Sequence, residues 1–430
     1  PDGHYIMAYS WIPNRWGNNI LYTDSLYTNW PNDLFSAFQN LGATGFTNQN
    51  QQDDGFVFFC KKGDPTSAQE LRSNPIVPGV ISSSELLELN TTIFSSLENP
   101  IFFIAEIGGN HEGDFEYAKR LTELAIMSGA DAIKFQFYTG DSLVSKLECA
   151  DRNAHFKKFE LSNQENLALV EMVNKGGAIP MASVWSEEML SWANPQLPFH
   201  KVGSGDLTCY PMLALLAKTN KPIILSTGLS SMKEVANAVS YIEKCNPTYI
   251  SERKLALLQC TSSYPTPDED ANIGAMLSLK SEFGLPVGYS DHTLGSNAIE
   301  VAVSAGAEII EKHFTDSREG KIFRDHLIAL TKDEVQETLD RMKQIKLLLG
   351  DGKKVLTKSE EEAEHHISFR RSIYASRSIK IGEVLTDDNL TVLRPFHGIC
   401  ASRFDDIVGC IASRDIDTYE VINENDLVKK

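Results

Sequence analysis

PVGYSDHTLGSNAIEVAVSAGAEIIEKHFT, residues 286–315, is the stretch that decides the fold. It holds two short apolar runs, PVGYSDHT and EIIEKHFT, each closing on a histidine, His292 and His313. Between them LGSNAIEVAVSAG repeats its apolar residues at helical spacing. The segment therefore predicts one strand–helix–strand unit with an imidazole at the carboxyl end of each strand. If the strands are parallel neighbours, both rings face one mouth. Two imidazoles there can hold a divalent metal and leave coordination positions open for a substrate. The plainer alternative is two unrelated histidines packed at strand ends, and the surrounding pattern has to decide.

Working outward, the same alternation runs from residue 101 to residue 349. The candidate strands are IFFIAEIG (101–108), DAIKFQ (131–136), AIPMASV (178–184), FHKVGSGD (199–206), PIILSTG (222–228) and LALLQCTS (255–262), followed by the two already quoted. Each is short, rich in Ile, Val, Leu and Phe, and followed by small or polar residues, as strands buried on both faces are. FEYAKRLTELAIMSG, NQENLALVEMVNKG and MKEVANAVSYIEKC carry apolar residues three and four apart, and several of the helical segments stop at Gly. Eight strands alternating with helical segments over roughly 250 residues describe a (β/α)8 TIM barrel, an α/β fold. A doubly wound open sheet is the alternative, disfavoured by the strand count and by the lack of a GxGxxG turn. The barrel is expected over residues 99–350.

The flanks read differently. A charged linker, 351–367, leads to short β-type runs (SIYASRSI, TVLRPF, IVGCIASRDI), so 368–430 is expected to be a small β-rich domain. Residues 1–63 read as an α+β extension ending in a hairpin-like GFTNQNQQDDGFVFFCKKGD. It resembles the last strands of a class I methyltransferase domain. No glycine-rich cofactor loop precedes it, so no methyl transfer is expected, and an extra packing element is the simpler reading. Residues 64–98, with Pro65, Pro75 and Pro78, look like linker. The opening PDGHYIMAYSW has neither an initiator Met nor a basic leader region, which suggests a fragment or a processed chain without a signal peptide.

Composition narrows the functional classes. With 430 residues, 42% hydrophobic and 23% charged, the chain is an ordinary globular protein of two or three domains. A net charge of -18 argues against nucleic acid and against an anionic membrane surface, though not against a small anion held by a local lysine cluster. Seven scattered cysteines without a CxxC pair fit a reducing compartment, and the cytoplasm is expected. No apolar run reaches eighteen residues.

In a barrel the catalytic groups sit at the carboxyl ends of the strands. The polar residues there are Glu106 with Asn110 and His111, Lys134 with Gln136, Ser183, then Lys201, Ser204 and Asp206. Ser226 and Thr227, Thr261, Ser262 and Tyr264, Ser290, Asp291 and His292, and His313 complete them. Lys134 and Lys201 are cations inside otherwise apolar strands, where an ammonium is costly without an anionic partner. Two such lysines among hydroxyls make a phosphate or carboxylate pocket; surface lysines at fraying strand ends are the alternative. Glu106, Asp206 and Asp325 offer carboxylates for proton transfer or for gripping hydroxyls.

AEIGGNHEGDFEYAKRL, GADAIKFQ, KVGSGD, PIILSTG, QCTSSYPTP, GYSDHT and EKHFT occur in this order. Together they resemble the sialic acid synthase family (N-acetylneuraminate, legionaminate and pseudaminate synthases) over about residues 100–430. The tail FRRSIYASRSIKIGEVLTDDNLTVLRPFHG resembles that family's antifreeze-like SAF domain. The resemblance implies condensation of phosphoenolpyruvate with an N-acetylated hexosamine aldehyde to a nine-carbon 2-keto sugar acid and phosphate. It implies a divalent ion, Mn2+ first and Mg2+ or Co2+ next, on His292 and His313. Lys134, Ser183, Lys201, Ser204, Ser262 and Ser290 match the phosphoenolpyruvate pocket, and Glu106 the carboxylate that orients or deprotonates water. Asp206, Tyr264 and Asp325 match positions facing the sugar. Arg394 matches the arginine that reaches the N-acyl group from the other subunit of a domain-swapped homodimer.

Several positions depart from the family pattern. Ala182-Ser183-Val184 stands where many members read STP, Ser262 replaces a common Asn, and Asp325 sits in FRDH rather than GPDH. The connection after Gln136 reads as short. These departures bear on the sugar more than on the reaction. A synthase acting on arabinose or erythrose phosphate is one rival, disfavoured because those barrels lack the SAF tail. A non-catalytic sugar-binding barrel is another, disfavoured by the presence of both histidines, both lysines and Glu106.

Overall fold

The computed structural model describes residues 101–428, together with the paired backbones of two short strands, His4–Ala8 and Val57–Lys61, which run antiparallel. The hairpin-like sequence around the second of these and the proline-rich 64–98 otherwise lie outside the described residues. Eight parallel strands close into a barrel in sequential order. They are β1 (Phe102–Glu106), β2 (Ala132–Phe137), β3 (Ile179–Val184), β4 (His200–Val202), β5 (Ile223–Ser226), β6 (Leu255–Cys260), β7 (Val287–Asp291) and β8 (Ile309–His313). All eight expected strands are present, and β8 pairs with β1 to close the ring. The fourth is the most shortened, because from Ser204 the chain tightens into a 3-10 turn, Ser204–Asp206.

The continuous apolar runs have a period of two once folded. Phe103, Ala105, Ile133, Phe135, Leu225, Tyr289 and Ile310 face outward and join the main core. Phe102, Ile104, Ala132, Met181, Ile224, Ala256, Leu258 and Ile309 face inward and plug the amino-terminal half of the barrel. Above that plug come Glu106, Lys134, Ser183, Lys201, Ser226, Ser290 and Glu311, all buried. The plug leaves one place for a reactant, the carboxyl end. Gly288 shows how tight the interior is, since a Cβ there would lie 2.1 Å from the Ile309 carbonyl oxygen and 2.7 Å from Leu258 Cδ2.

The outer helices are delimited by local chemistry. Asp114 caps Phe115–Met127, and Ser162/Glu165 and Ser231/Glu234 form reciprocal boxes at the starts of Asn163–Lys175 and Met232–Cys245. Lys332–Leu349 begins at Thr331 and stops at Gly350, whose φ of 60° suits glycine. The connection after β2 is not short. It carries the helices Gly140–Leu143 and Ala150–Phe159, braced by Asn153 Nδ2, which donates to the Gly140 and Val144 carbonyls. Ala150–Phe159 buries only Asn153 and Phe159, so it left no apolar stripe to read.

The C-terminal unit has its own core, including Ile373, Ile379, Leu385, Ile407, Ile416 and Ile422. Around it lie two antiparallel pairs, β9 (Ser372–Ala375) with β10 (Leu390–Leu393) and β11 (Ile411–Ala412) with β12 (Leu427–Val428). Among the described residues no helix is long and apolar enough to cross a membrane.

Candidate active site

The carboxyl ends of the strands enclose a cavity of about 1080 Å3. Glu106, Lys134, Ser183, Lys201, Ser204, Asp206, Ser262, Tyr264, Ser290, His292, His313 and Asp325 all line it. Arg394 does not. It is exposed in the C-terminal unit, where its Nε donates to the Phe369 carbonyl at 2.8 Å and its guanidinium stands 5.7 Å from the Phe369 ring centre.

Strand register builds the charged floor. Glu106 pairs across with Lys134 and with His313, Ser183 with Lys201, and Ser290 with Glu311. Lys134 Nζ sits 2.5 Å from Glu106 Oε2 and 3.8 Å from Glu311 Oε2, while Lys201 Nζ lies 3.6 Å from Glu311 Oε1. Lys201 also donates to Ser226 Oγ at 2.7 Å, and Ser290 Oγ donates to Glu311 at 2.9 Å. Two buried ammoniums are thus balanced by two buried carboxylates, as such charges require. Burial raises the Glu106 carboxyl to about 7, against the pull of Lys134. For Glu311 burial acts upward too, but Lys134 and Lys201 together hold it below its ordinary value. Lys201 is lowered by burial, only partly offset by Glu311.

The turns after β4, β5 and β6 bring hydroxyls beside the lysines. Gly228 N–H donates to Ser204 Oγ at 3.1 Å, and a Cβ on Gly228 would lie 2.7 Å from both Ser204 Oγ and Ser262 Oγ. Glycine therefore opens a small hydroxyl-lined recess over the Lys201 side. Asp206 accepts from Trp185 Nε1, and burial raises its carboxyl. Asp325 is likewise raised by burial, with Arg324 beside it opposing.

The two imidazoles are neighbours, with ring centres 5.5 Å apart. His292 Nδ1 donates to the Thr261 carbonyl at 2.8 Å, so Nε2 is the atom that carries the lone pair whenever the ring is neutral. His313 is buried with no hydrogen-bond partner on Nδ1. Burial, and then the positive charge of His292 and Lys134, holds it neutral well below the ordinary histidine range. Burial pulls His292 down, but Cys260 and the bond to the Thr261 carbonyl leave it above its ordinary value. A divalent ion on these two rings would therefore take the place of a proton on His292, while His313 offers a neutral ring. No group of three or more His, Cys, Asp or Glu is arranged for a metal among the described residues. Tyr264 packs on both rings, its centre 4.2 Å from that of His292 and 5.9 Å from that of His313.

Residues 121–354 match the NeuB family, and residues 370–428 match the SAF domain. The chain belongs to the NeuB family. Its similarity to curated relatives runs nearly their full length. It is 40% identical over 332 residues to an uncharacterized protein of Methanocaldococcus jannaschii, covering 76% of this chain and 95% of that protein. It is 35% identical over 334 residues to the N,N'-diacetyllegionaminic acid synthase of Campylobacter jejuni, covering 75% of this chain and 98% of the relative. The crystal structure of an N-acetylneuraminic acid (sialic acid) synthetase from Leptospira borgpetersenii superposes with a TM-score of 0.58 at 33% identity, covering 62% of this chain and 91% of that one. Relatives with a stated activity are synthases, and this NeuB-family chain is an enzyme of that kind.

Some strand-end residues of this NeuB-family barrel serve the fold instead of the cavity. Asn110 donates to the Phe314 carbonyl, His111 Nδ1 accepts from Gly113 N–H, and Thr227 and Thr261 donate to the Leu258 and Asp270 carbonyls. Asp291 faces outward, bonded to Lys312. Glu311 escaped the sequence reading although it is central here. The signal was available, because residues 309, 311 and 313 share one face of β8 and His313 was already placed inward. The helix Ala150–Phe159 supplies Arg152, His155, Phe156 and Phe159 to the cavity wall, which the reading of a short connection did not foresee.

Proposed function

We propose that this enzyme condenses phosphoenolpyruvate with the aldehyde of an N-acyl amino sugar, giving a nine-carbon 2-keto sugar acid and inorganic phosphate. The observation that carries the proposal is the meeting of Lys134 and Lys201 with serine hydroxyls, Glu106 and two adjacent histidines in one cavity. Phosphate and carboxylate of the enol substrate suit the ammoniums and the recess formed by Ser204, Ser262 and Gly228. Ser183 and Ser290 stand on the same floor. Asp206, Tyr264 and Asp325 would face the sugar. A divalent ion on His292 and His313, Mn2+ first, would supply Lewis acidity toward the aldehyde oxygen.

In the reaction, C3 of phosphoenolpyruvate attacks the aldehyde carbon and C2 gains positive character. The aldehyde oxygen takes up a proton from solvent, which is returned when the added water gives up its protons. Water adds at C2 and loses a proton to Glu106, whose carboxyl near 7 suits a base at neutral pH. Phosphate then leaves with cleavage of its C–O bond, producing the 2-keto group. The buried carboxylates stabilise the transient positive charge, and the ammoniums bind the reactant's anions. Synthases with a stated product among the relatives make different sugar acids, which supports the shared condensation over any one sugar. Arg394 would serve the site of a second subunit in a domain-swapped dimer, since it does not line the cavity of its own chain.

Phosphate release should be assayed with phosphoenolpyruvate, Mn2+ and a panel of N-acetylmannosamine, its 6-phosphate and the two diacetamido-dideoxy sugars. Turnover with at least one, lost in His292→Ala, is the expected result. No release with any N-acyl hexose would overturn the proposal.

A further inference from the structure

On the outer face of the barrel, directly behind the two histidines, lies a cross-strand ion pair. Lys312 Nζ stands 2.6 Å from Asp291 Oδ2, and both side chains are fully shielded, at 0% exposure. The two are register partners on β7 and β8. Asp291 immediately precedes His292, and Lys312 immediately precedes His313. The pair is tied into the following turn as well. Lys312 donates to the Thr293 carbonyl at 2.7 Å, and Asp291 Oδ1 accepts from Thr293 N–H at 2.9 Å. Thr293 is the residue after His292, so hydrogen bonds hold His292 on both sides.

A buried ion pair is a poor device for stability alone, because desolvating both charges consumes most of what their attraction returns. Apolar side chains would pack this outward face as the other outward positions do. What the pair does supply is a fixed offset between two strand tips that carry the imidazoles, whose ring centres are 5.5 Å apart. We infer that Lys312 and Asp291 are positioning residues, a clamp that sets the spacing of His292 and His313 for one divalent ion. The inference rests on the metal reading of these histidines, and the test separates the two.

Mn2+ binding is read from the electron paramagnetic resonance signal of the free ion, alongside thermal melting. The wild-type protein, His292→Ala, Asp291→Leu/Lys312→Met and the control Ile310→Ala are compared. Ile310 packs on the same outer face of β8 but forms no part of the clamp. Wild type should bind Mn2+ and His292→Ala should not; if the two behave alike, the metal reading falls and the clamp falls with it. The double variant should melt cooperatively yet bind Mn2+ about 10- to 100-fold more weakly, the usual effect of losing a group that orients a metal ligand. Ile310→Ala should lower the melting temperature with its Mn2+ Kd unchanged. A folded double variant whose Kd stays within about twofold of wild type, where 10-fold is the smallest loss expected, would overturn the clamp alone. So would an equal loss of affinity in Ile310→Ala. If the apolar pair does not fold, Asp291→Asn/Lys312→Met is read the same way, since it keeps the acceptor for Thr293 N–H and breaks the cross-strand bond.

Discussion

Glu106 and Glu311 lie within reach of the same ammonium, yet burial and charge move them in opposite directions. Glu106, raised to about 7, must lose its proton to act as a base, so kcat/KM should fall as the pH drops through that value. Glu106→Gln should abolish this acidic limb and lower turnover by about 10²- to 10⁴-fold, with the fold kept. A phosphate-release profile from acid to mildly alkaline pH measures both. A variant that retains the limb would assign it to another group. Glu311 lies 3.8 Å from the Lys134 ammonium and 3.6 Å from that of Lys201, and under the proposed function it would be their counter-charge when no substrate anion is bound. Glu311→Gln should destabilise the free protein by about 3–5 kcal/mol, the scale for breaking a buried pair, and phosphoenolpyruvate should recover part of that loss. Thermal melting with and without the ligand checks it, and an equal loss in both conditions would argue against the role.

Strands were the easiest elements to read, because a strand buried on both faces is nearly all apolar and its polar exceptions stand out. Lys134 and Lys201 were found that way. Glu311 was not, since EIIEKHFT places three charged or titratable residues side by side and only the strand's alternation separates inward from outward. The helix Ala150–Phe159 was missed because its contacts are with the cavity wall and with Asn153's hydrogen bonds, neither of which produces a periodic stripe. Alternation also explains His200 in β4. It is buried facing away from the cavity, with Nε2 3.0 Å from Thr219 Oγ1, and burial lowers it to about 4, with Lys221 adding to the effect. A folded-state value below the unfolded one contributes stability that is present above about 6.5 and is lost as the pH falls toward 4. His111, lowered to about 4 by burial, acts in the same direction. Over pH 7 to 4.5 these histidines lower stability as acidity rises, while Glu106, raised to about 7, acts in the opposite sense. The test is therefore the difference between variants: in denaturant melts His200→Gln should lose less stability on acidification than the wild type. An equal loss in the two would mean that His200 is protonated at the same pH in both states.

At the scale of the molecule, the barrel holds nearly every group expected at the site, and the C-terminal unit keeps Arg394 with Phe369. If Arg394 serves a second subunit, two inactive variants should complement each other. Mixing His292→Ala with Arg394→Ala after reversible dissociation should restore phosphate release, because a mixed dimer pairs one intact barrel with one intact arginine. Activity that stays at the level of the separate variants would place the arginine in its own chain or outside the reaction. The C-terminal unit was legible as a change of texture, from long apolar runs to short ones punctuated by Gly and Asp. The N-terminal hundred residues offered no comparable periodicity, and their reading lies mostly outside the described residues.

The alternation along β8 also limits how such a chain can change over generations. The loops around it can lengthen, shorten or be replaced without that constraint. An insertion of one residue between Ile309 and Glu311 would exchange faces, sending Lys312 inward and Glu311 and His313 outward. Descendants can therefore diversify in their loops while this short strand keeps its reading frame.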